Sequence, residues 1–253
     1  MKAFVFLIIS ACVFFTGCTS LSFVSAGSFF GPGPQYEFLK ASGYGDTKEM
    51  ERQLRRGADI NRQGREGMTA LIWALWQGNK RSYEWLLQHG ADPNLQMPAT
   101  DLARYGFFSG ASAVSVAARH RDPWFLEITL KYGGNPNLYN PIMKETVIFD
   151  CISFYEKKHD GIAQLELLIK YGADLNAAHP STPMMYAAIF NRYDMVYMML
   201  EAGADPTIVI SGKFSLLTDL KRDMTIPGDS LSQWRKEVIK LLREKGVTFD
   251  GDE

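Results

Sequence analysis

The chain is predicted to fold as an all-α solenoid of about six helix-turn-helix repeats, and three observations lead there. A nine-residue phrase recurs: RRGADINRQ at 55–63, QHGADPNLQ at 88–96, KYGGNPNLY at 131–139, KYGADLNAA at 170–178 and EAGADPTIV at 201–209. Each copy ends an amphipathic run such as SYEWLLQHG, with Gly57, Gly90, Gly133, Gly172 or Gly203 placed where a helix needs a left-handed residue to stop it. Upstream, a Thr or Ser opens another apolar run, and the interval from Thr69 to Gly90, Ser112 to Gly133 and Thr182 to Gly203 is 21 residues every time. Recurrence at fixed spacing makes the Asp and Asn of the phrase turn residues, able to bond the backbone as it leaves the helix.

The first segment is of a different kind. MKAFVFLIISACVFFTGCTS has one Lys at position 2, an unbroken apolar run from Ala3 to Phe15, then small residues and a cysteine. Residues 1–17 read as a secretory signal, because the run is shorter than the ~20 apolar residues a transmembrane helix needs. Phe15-Thr16-Gly17-Cys18 resembles the lipobox of bacterial lipoproteins, with Phe15 standing where Leu is usual. That resemblance implies a lipidated Cys18 as the new N-terminus, and Thr19 in place of an inner-membrane retention Asp implies an outer-membrane location facing the periplasm. An ordinary cleaved signal and a retained anchor are the other readings. Residues 18–35, rich in Gly, Pro and Ser without helical period, read as a lipidated N-terminus and tether, and residues 36–250 as the repeat domain.

Composition narrows the function. Of 253 residues 46% are hydrophobic, and 27 Lys+Arg against 28 Asp+Glu leave a formal net charge of −1, so no basic field gathers nucleic acid. Cleavage before Cys18 removes Cys12 and lipid caps Cys18, leaving Cys151 in the apolar TVIFDCISF as a buried hydrophobe with no disulfide partner.

The repeats follow in order. Tyr36 to Gly57 is a degenerate first copy with Gly45 at its turn; Thr69 to Gly90 turns at Gly78; Ser112 to Gly133 is third; Thr146 to Gly172 is five residues longer than standard, with YEKKHDG in its turn; Thr182 to Gly203 turns at Asn191; Ser215 to Gly246 carries extra residues around TIPGDSLSQ. About ten additional residues before Ser112 make 94–110 a finger. Helix, turn, helix, glycine stop and looping turn at a period near 33 residues resembles the ankyrin repeat. TALIWALWQGN and TPMMYAAI stand where that family writes Thr-Pro-Leu-His, although no copy keeps the His. The resemblance implies β-hairpin-like loops between repeats and insertions on the binding side.

No chemistry competes with binding. His89, His120, His159 and His179 are scattered without metal-ligand spacing, GYG and GPG are isolated turn glycines, and no GxSxG marks a nucleophile. We expect no enzyme, no cofactor, no metal and no small-molecule substrate. In the ankyrin family the two positions before the inter-helix turn face a concave groove; here the resemblance puts Trp76 and Gln77, Arg119 and His120, Ser153 and Phe154, and Ile189 and Phe190 there, with Tyr44 in the first repeat. Tyr105, Phe107 and Phe108 on the finger complete the candidate protein-binding set, in which aromatics and Arg are the usual anchors. Trp73, one position deeper, is assigned to packing. The layout is similar to lipid-anchored ankyrin immunity proteins that neutralise phospholipase effectors of the type VI secretion system; a periplasmic scaffold or stress-protection protein acting on an endogenous envelope enzyme is the second reading.

Overall fold

Among the residues that the computed structural model describes (24–99, 108–152, 161–178, 181–224 and 232–248), the apolar runs form twelve α-helices in six consecutive pairs. They are α1 (Pro34–Tyr44), α2 (Thr47–Arg55), α3 (Ala70–Trp76), α4 (Lys80–Gln88), α5 (Ala113–Arg119), α6 (Pro123–Lys131), α7 (Val147–Ile152), α8 (Ile162–Lys170), α9 (Pro183–Ile189), α10 (Tyr193–Glu201), α11 (Leu216–Met224) and α12 (Gln233–Glu244). The chain divides into two compact units. One runs to Val116 and includes Lys131–Gly134; the other holds Ala117–Leu130 and the chain from Asn135 onward.

In the first unit α1 packs on α2 and α3, and α3 on α4, around Phe38, Leu39, Met50, Leu71, Leu75, Tyr83 and Leu86, all fully buried. In the second, α7 packs on α8 and α9, and α10 on α9 and α12, around Phe149, Leu165, Leu168, Tyr193, Met195 and Val238. Helices as short as seven residues are not stable alone, so burial of one face holds them.

The predicted start signals Thr69, Ser112, Thr182 and Ser215 act as N-caps, whereas Thr146 does not: its Oγ1 is buried without a hydrogen-bond partner. Thr69 Oγ1 accepts from Ile72 N at 3.2 Å, and Thr182 Oγ1 from Met185 N at 3.2 Å. Ser112 and Ser115 bond each other's backbone N–H reciprocally, as do Ser215 and Thr218. Asp46 and Asn79 cap α2 and α4 in the same way. The stop glycines lie one residue past the last cap: His89, Tyr171, Ala202 and Lys245 end their helices, and Gly90, Gly172, Gly203 and Gly246 follow at φ of 90°, 81°, 91° and 84°.

The repeated phrase builds a hydrogen-bond ladder between consecutive loops. Within three loops the Asp carboxylate accepts the backbone N–H two residues on, Asp59 from Asn61 at 2.9 Å, Asp92 from Asn94 at 2.8 Å and Asp174 from Asn176 at 2.9 Å, and in the third copy Asn135 Oδ1 does the same for Asn137 at 2.9 Å. Between loops the Asn amide bonds the next copy. In the first unit Asn61 donates to Gly90 O at 3.1 Å and accepts from Asp92 N at 2.8 Å, and Asn94 donates to Gly133 O at 2.9 Å. In the second, Asn137 donates to Gly172 O at 2.9 Å and accepts from Asp174 N at 2.6 Å, and Asn176 accepts from Asp205 N at 2.8 Å. Gln35 starts the series by bonding both the N–H and the carbonyl of Asp59.

The hairpin-like loops are also present. β1 (Tyr139–Asn140) pairs antiparallel with β2 (Glu145–Thr146), Tyr139 opposite Thr146, and Ile210 bridges Phe214.

The folded body begins earlier than the tether reading places it. Residues Ala26–Ser28 form a 3-10 turn, Ala26 and Phe29 are buried, Phe29 meets Trp73 edge-on at 5.7 Å, and Phe29 O accepts from Arg65 N at 3.1 Å. α1 starts at Pro34, with Pro preset for the first helical turn rather than Tyr36 opening it.

Two substitutions test this account. Asn137→Ala removes both inter-loop bonds of an exposed residue and should lower unfolding free energy by about 1–2 kcal/mol in chemical denaturation. Gly172→Val meets no heavy atom within 4 Å of its new Cβ, so its effect isolates the backbone strain of a β-branched residue at φ 81°; a loss of more than about 1 kcal/mol is expected, with Gly172→Asn milder.

Candidate protein-binding surface

In the first unit the candidate side chains gather where the turns of the first two repeats meet. Tyr44, the last residue of α1, is 80% exposed. Gly43 O accepts from Asn79 Nδ2 at 3.2 Å, and a Cβ at Gly43 would lie 3.4 Å from Gln77 Cγ, so these turns touch and Gln77 lies exposed beside them. Trp73 is buried, as its assignment to packing requires, and Trp76 lies tilted against it at 5.1 Å, itself half-buried. Trp76 is thus held rigid, which lowers the entropy lost when a partner covers an aromatic.

The finger has a fixed root. Met97 N donates to Ala111 O at 2.7 Å, Gly110 N to Pro98 O at 3.5 Å, and Gln63 Nε2 to Gln96 O at 2.9 Å; Met97 is buried beside Gly67, which has no room for a Cβ. Phe108 is half-buried at this root. Tyr105 and Phe107 lie outside the described residues, as do Ser153, Phe154 and Cys18.

In the second unit two candidates already have structural partners that the sequence reading does not foresee. Arg119 Nε donates to Asp150 Oδ1 at 2.6 Å, with side-chain exposures of 31% and 9%. Burial pushes the Asp150 carboxyl above its ordinary range against the opposing pull of Arg119, and burial together with Asp150 pushes Glu145 the same way. His120 packs edge-on against Phe125 at 4.5 Å, accepts from Asp122 N at 3.0 Å, and its carbonyl accepts from Gln164 Nε2 at 2.8 Å. Ile189 is 66% exposed at the end of α9. Phe190 beside it is half-buried and edge-on to Tyr186 at 5.0 Å, which in turn meets Phe149 at 5.2 Å.

Exposed apolar side chains also occur where sequence reasoning names none. Asn140 is buried and its Oδ1 accepts from Ile142 N at 3.0 Å and Met143 N at 3.1 Å, a turn that leaves Ile142 and Met143 more than 40% exposed beside Tyr139. Val209 and Phe214 flank the other hairpin and are more than half exposed. The available signal was the apolar PIM after an Asn turn, in a loop the repeat pattern leaves polar.

Cys151 is buried, and burial followed by the nearby Asp150 pushes its thiol far above the ordinary range, consistent with a packing role. Among the described residues no group of three or more His, Cys, Asp or Glu could hold a metal ion.

Arg119→Ala separates stability from binding. It leaves Asp150 buried without its cation and should destabilise by about 3–5 kcal/mol, where Arg119→Ala combined with Asp150→Asn recovers much of the loss. Because the folded Asp150 pKa is raised, the unfolded state releases that proton first; its contribution therefore falls as pH rises from the ordinary carboxylate range through the raised value. In Arg119→Ala the window should extend to higher pH, and in Asp150→Asn the slope should shrink to what Glu145 leaves, both read from unfolding free energy against pH.

This geometry agrees with comparison to known proteins. Residues 114–210 match a family model described as ankyrin repeats (3 copies), and residues 38–87 one described as ankyrin repeats (many copies). The chain is 35% identical over 103 residues to cyclin-dependent kinase 4 inhibitor B of Bos taurus, covering 37% of this chain and 78% of that protein, and 34% identical over 103 residues to the Homo sapiens protein of the same name, covering 37% and 74%. It is also 42% identical over 57 residues to an L-asparaginase of Dirofilaria immitis, a stretch that is 22% of this chain and 10% of that protein. With repeat models matched in both units and most of two relatives covered, the chain belongs to the ankyrin-repeat family.

Proposed function

We propose that this protein inhibits a protein partner by binding and covering it, held at a bacterial membrane by acylation of Cys18. Ankyrin repeats are protein-interaction modules, and two relatives are named as inhibitors of an enzyme, a role an ankyrin stack can fill sterically. The observation that carries the reading is the exposure of large apolar side chains at repeat turns: Tyr44 at 80% and Ile189 at 66%, with half-buried Trp76 and Phe190 braced beside them on aromatic neighbours. Exposed side chains of this size gain nothing from folding and much from being covered. The FTGC motif and the resemblance in layout favour a periplasm-facing lipoprotein whose partner is a phospholipase effector of the type VI secretion system.

The test identifies what co-purifies with the tagged protein from cells carrying its neighbouring genes, and assays the recovered partner for phospholipase activity with the purified protein added. Stoichiometric loss of lipase activity is expected, and Tyr44→Ala, Trp76→Ala and Phe190→Ala should each weaken binding by about tenfold or more without altering the melting temperature by more than a few degrees. Undiminished lipase activity at excess protein would refute the effector reading; wild-type affinity in all three variants and in a deletion of the finger would refute the surface.

A further inference from the structure

The end of the fold nearest the chain's origin has an uneven charge. The segment RQLRRGADINRQGRE, residues 52–66, holds five arginines against Asp59 and Glu66. Two of the five are engaged by carboxylates on their own helix, Arg52 by Glu49 and Arg55 by Glu51. Arg56, Arg62 and Arg65 are exposed, and among the described residues no carboxylate lies within ion-pair distance of them; Arg56 reaches only the Gln53 side chain, at 3.4 Å. Asp59 points its carboxylate back into the loop, onto Asn61 N. This leaves three guanidinium groups on the first inter-repeat loop with their charge directed to the outside.

The same loop is where the chain enters the fold. Phe29 O accepts from Arg65 N at 3.1 Å, and the Phe30 ring lies against Gly64, so closely that a Cβ there would come within 2.7 Å of it. Ala26 and Phe29 are buried, which fixes the entry point rather than leaving it on a loose leader. Val24 lies only six positions after Cys18, a reach of about 20 Å when fully extended. If Cys18 holds the chain in the bilayer, this loop is confined to within a few Debye lengths of the headgroups.

We propose that Arg56, Arg62 and Arg65 form a contact face for the phosphates of anionic phospholipid headgroups, docking the first inter-repeat loop on the membrane. The inference rests on the proposed acylation of Cys18, which supplies the proximity; the arginines supply an attraction that each phosphate can accept bidentately.

The full acylated chain is incorporated into nanodiscs of phosphatidylcholine alone and of phosphatidylcholine with phosphatidylglycerol at three to one, and amide hydrogen exchange is followed by mass spectrometry. Amides of residues 56–66 should exchange roughly fivefold more slowly in the anionic discs, the scale of one arginine engaged at an anionic surface, while residues 209–214 exchange equally in both. Arg62→Glu with Arg65→Glu, both exposed, should abolish the difference at unchanged melting temperature. Equal exchange of 56–66 in the two disc types, or protection that survives the double substitution, overturns the headgroup face. A chain that carries no acyl group by mass spectrometry and fails to enter either disc overturns the tether reading itself, and the face with it.

Discussion

The inter-loop amide ladder is the constraint on which the rest of the structure depends. A helix pair of seven and nine residues has too little buried surface to stand alone, so each repeat is held by its neighbour. Apolar contact between helices supplies most of that free energy but little directional information. The amide of Asn61 or Asn137 supplies direction, because one side chain donates to the glycine carbonyl and accepts from the aspartate N–H of the following copy. Both partners are backbone groups left over where a helix ends, and those groups must be bonded somewhere. The positive φ of the stop glycine turns its carbonyl and the next N–H into the path of the preceding amide, which ties the identity of the glycine to that of the asparagine one repeat earlier.

What was legible in the sequence was local. Glycine stops, the caps at Thr69, Ser112, Thr182 and Ser215, and the turn residues Gly45, Gly78 and Asn191 all involve neighbours a few residues apart, and these adopt the expected geometry, whereas Thr146 makes no cap bond. The ladder was half legible: recurrence marks Asp and Asn as turn formers, but the bond from Asn61 to Gly90 crosses 29 residues and has no signature of its own. The same holds for Arg119, whose partner Asp150 lies 31 residues away and makes a candidate contact residue one member of a part-buried pair. The segment around Phe29 was misread for a different reason. Two phenylalanines between Ser, Gly and Pro have no helical or strand period, and only tertiary contact with Trp73 shows that the stretch is folded.

The candidate residues therefore fall into two kinds. Tyr44, Gln77 and Ile189 stand out from their turns, whereas Arg119 and His120 are built into the second unit through Asp150, Phe125 and Gln164. Position within a repeat predicts which way a side chain leaves the backbone, but not whether another repeat has already taken it up. Buried polar pairs of this sort contribute little net stability when intact, yet they fix geometry because breaking them strands a charge. A partner bound to the second unit would meet polar groups that are already oriented.

The root of the finger has an evolutionary consequence. Asn94 completes its bond to Gly133 before the extra residues begin, and the Met97–Ala111 pair closes the excursion behind them. Once such a loop is closed at its base, doubling its length adds only about 0.6 kcal/mol of closure entropy. This junction can therefore accept insertions of widely different length and composition at nearly constant stability, so the finger can diverge rapidly against a changing partner while the scaffold beneath it stays the same.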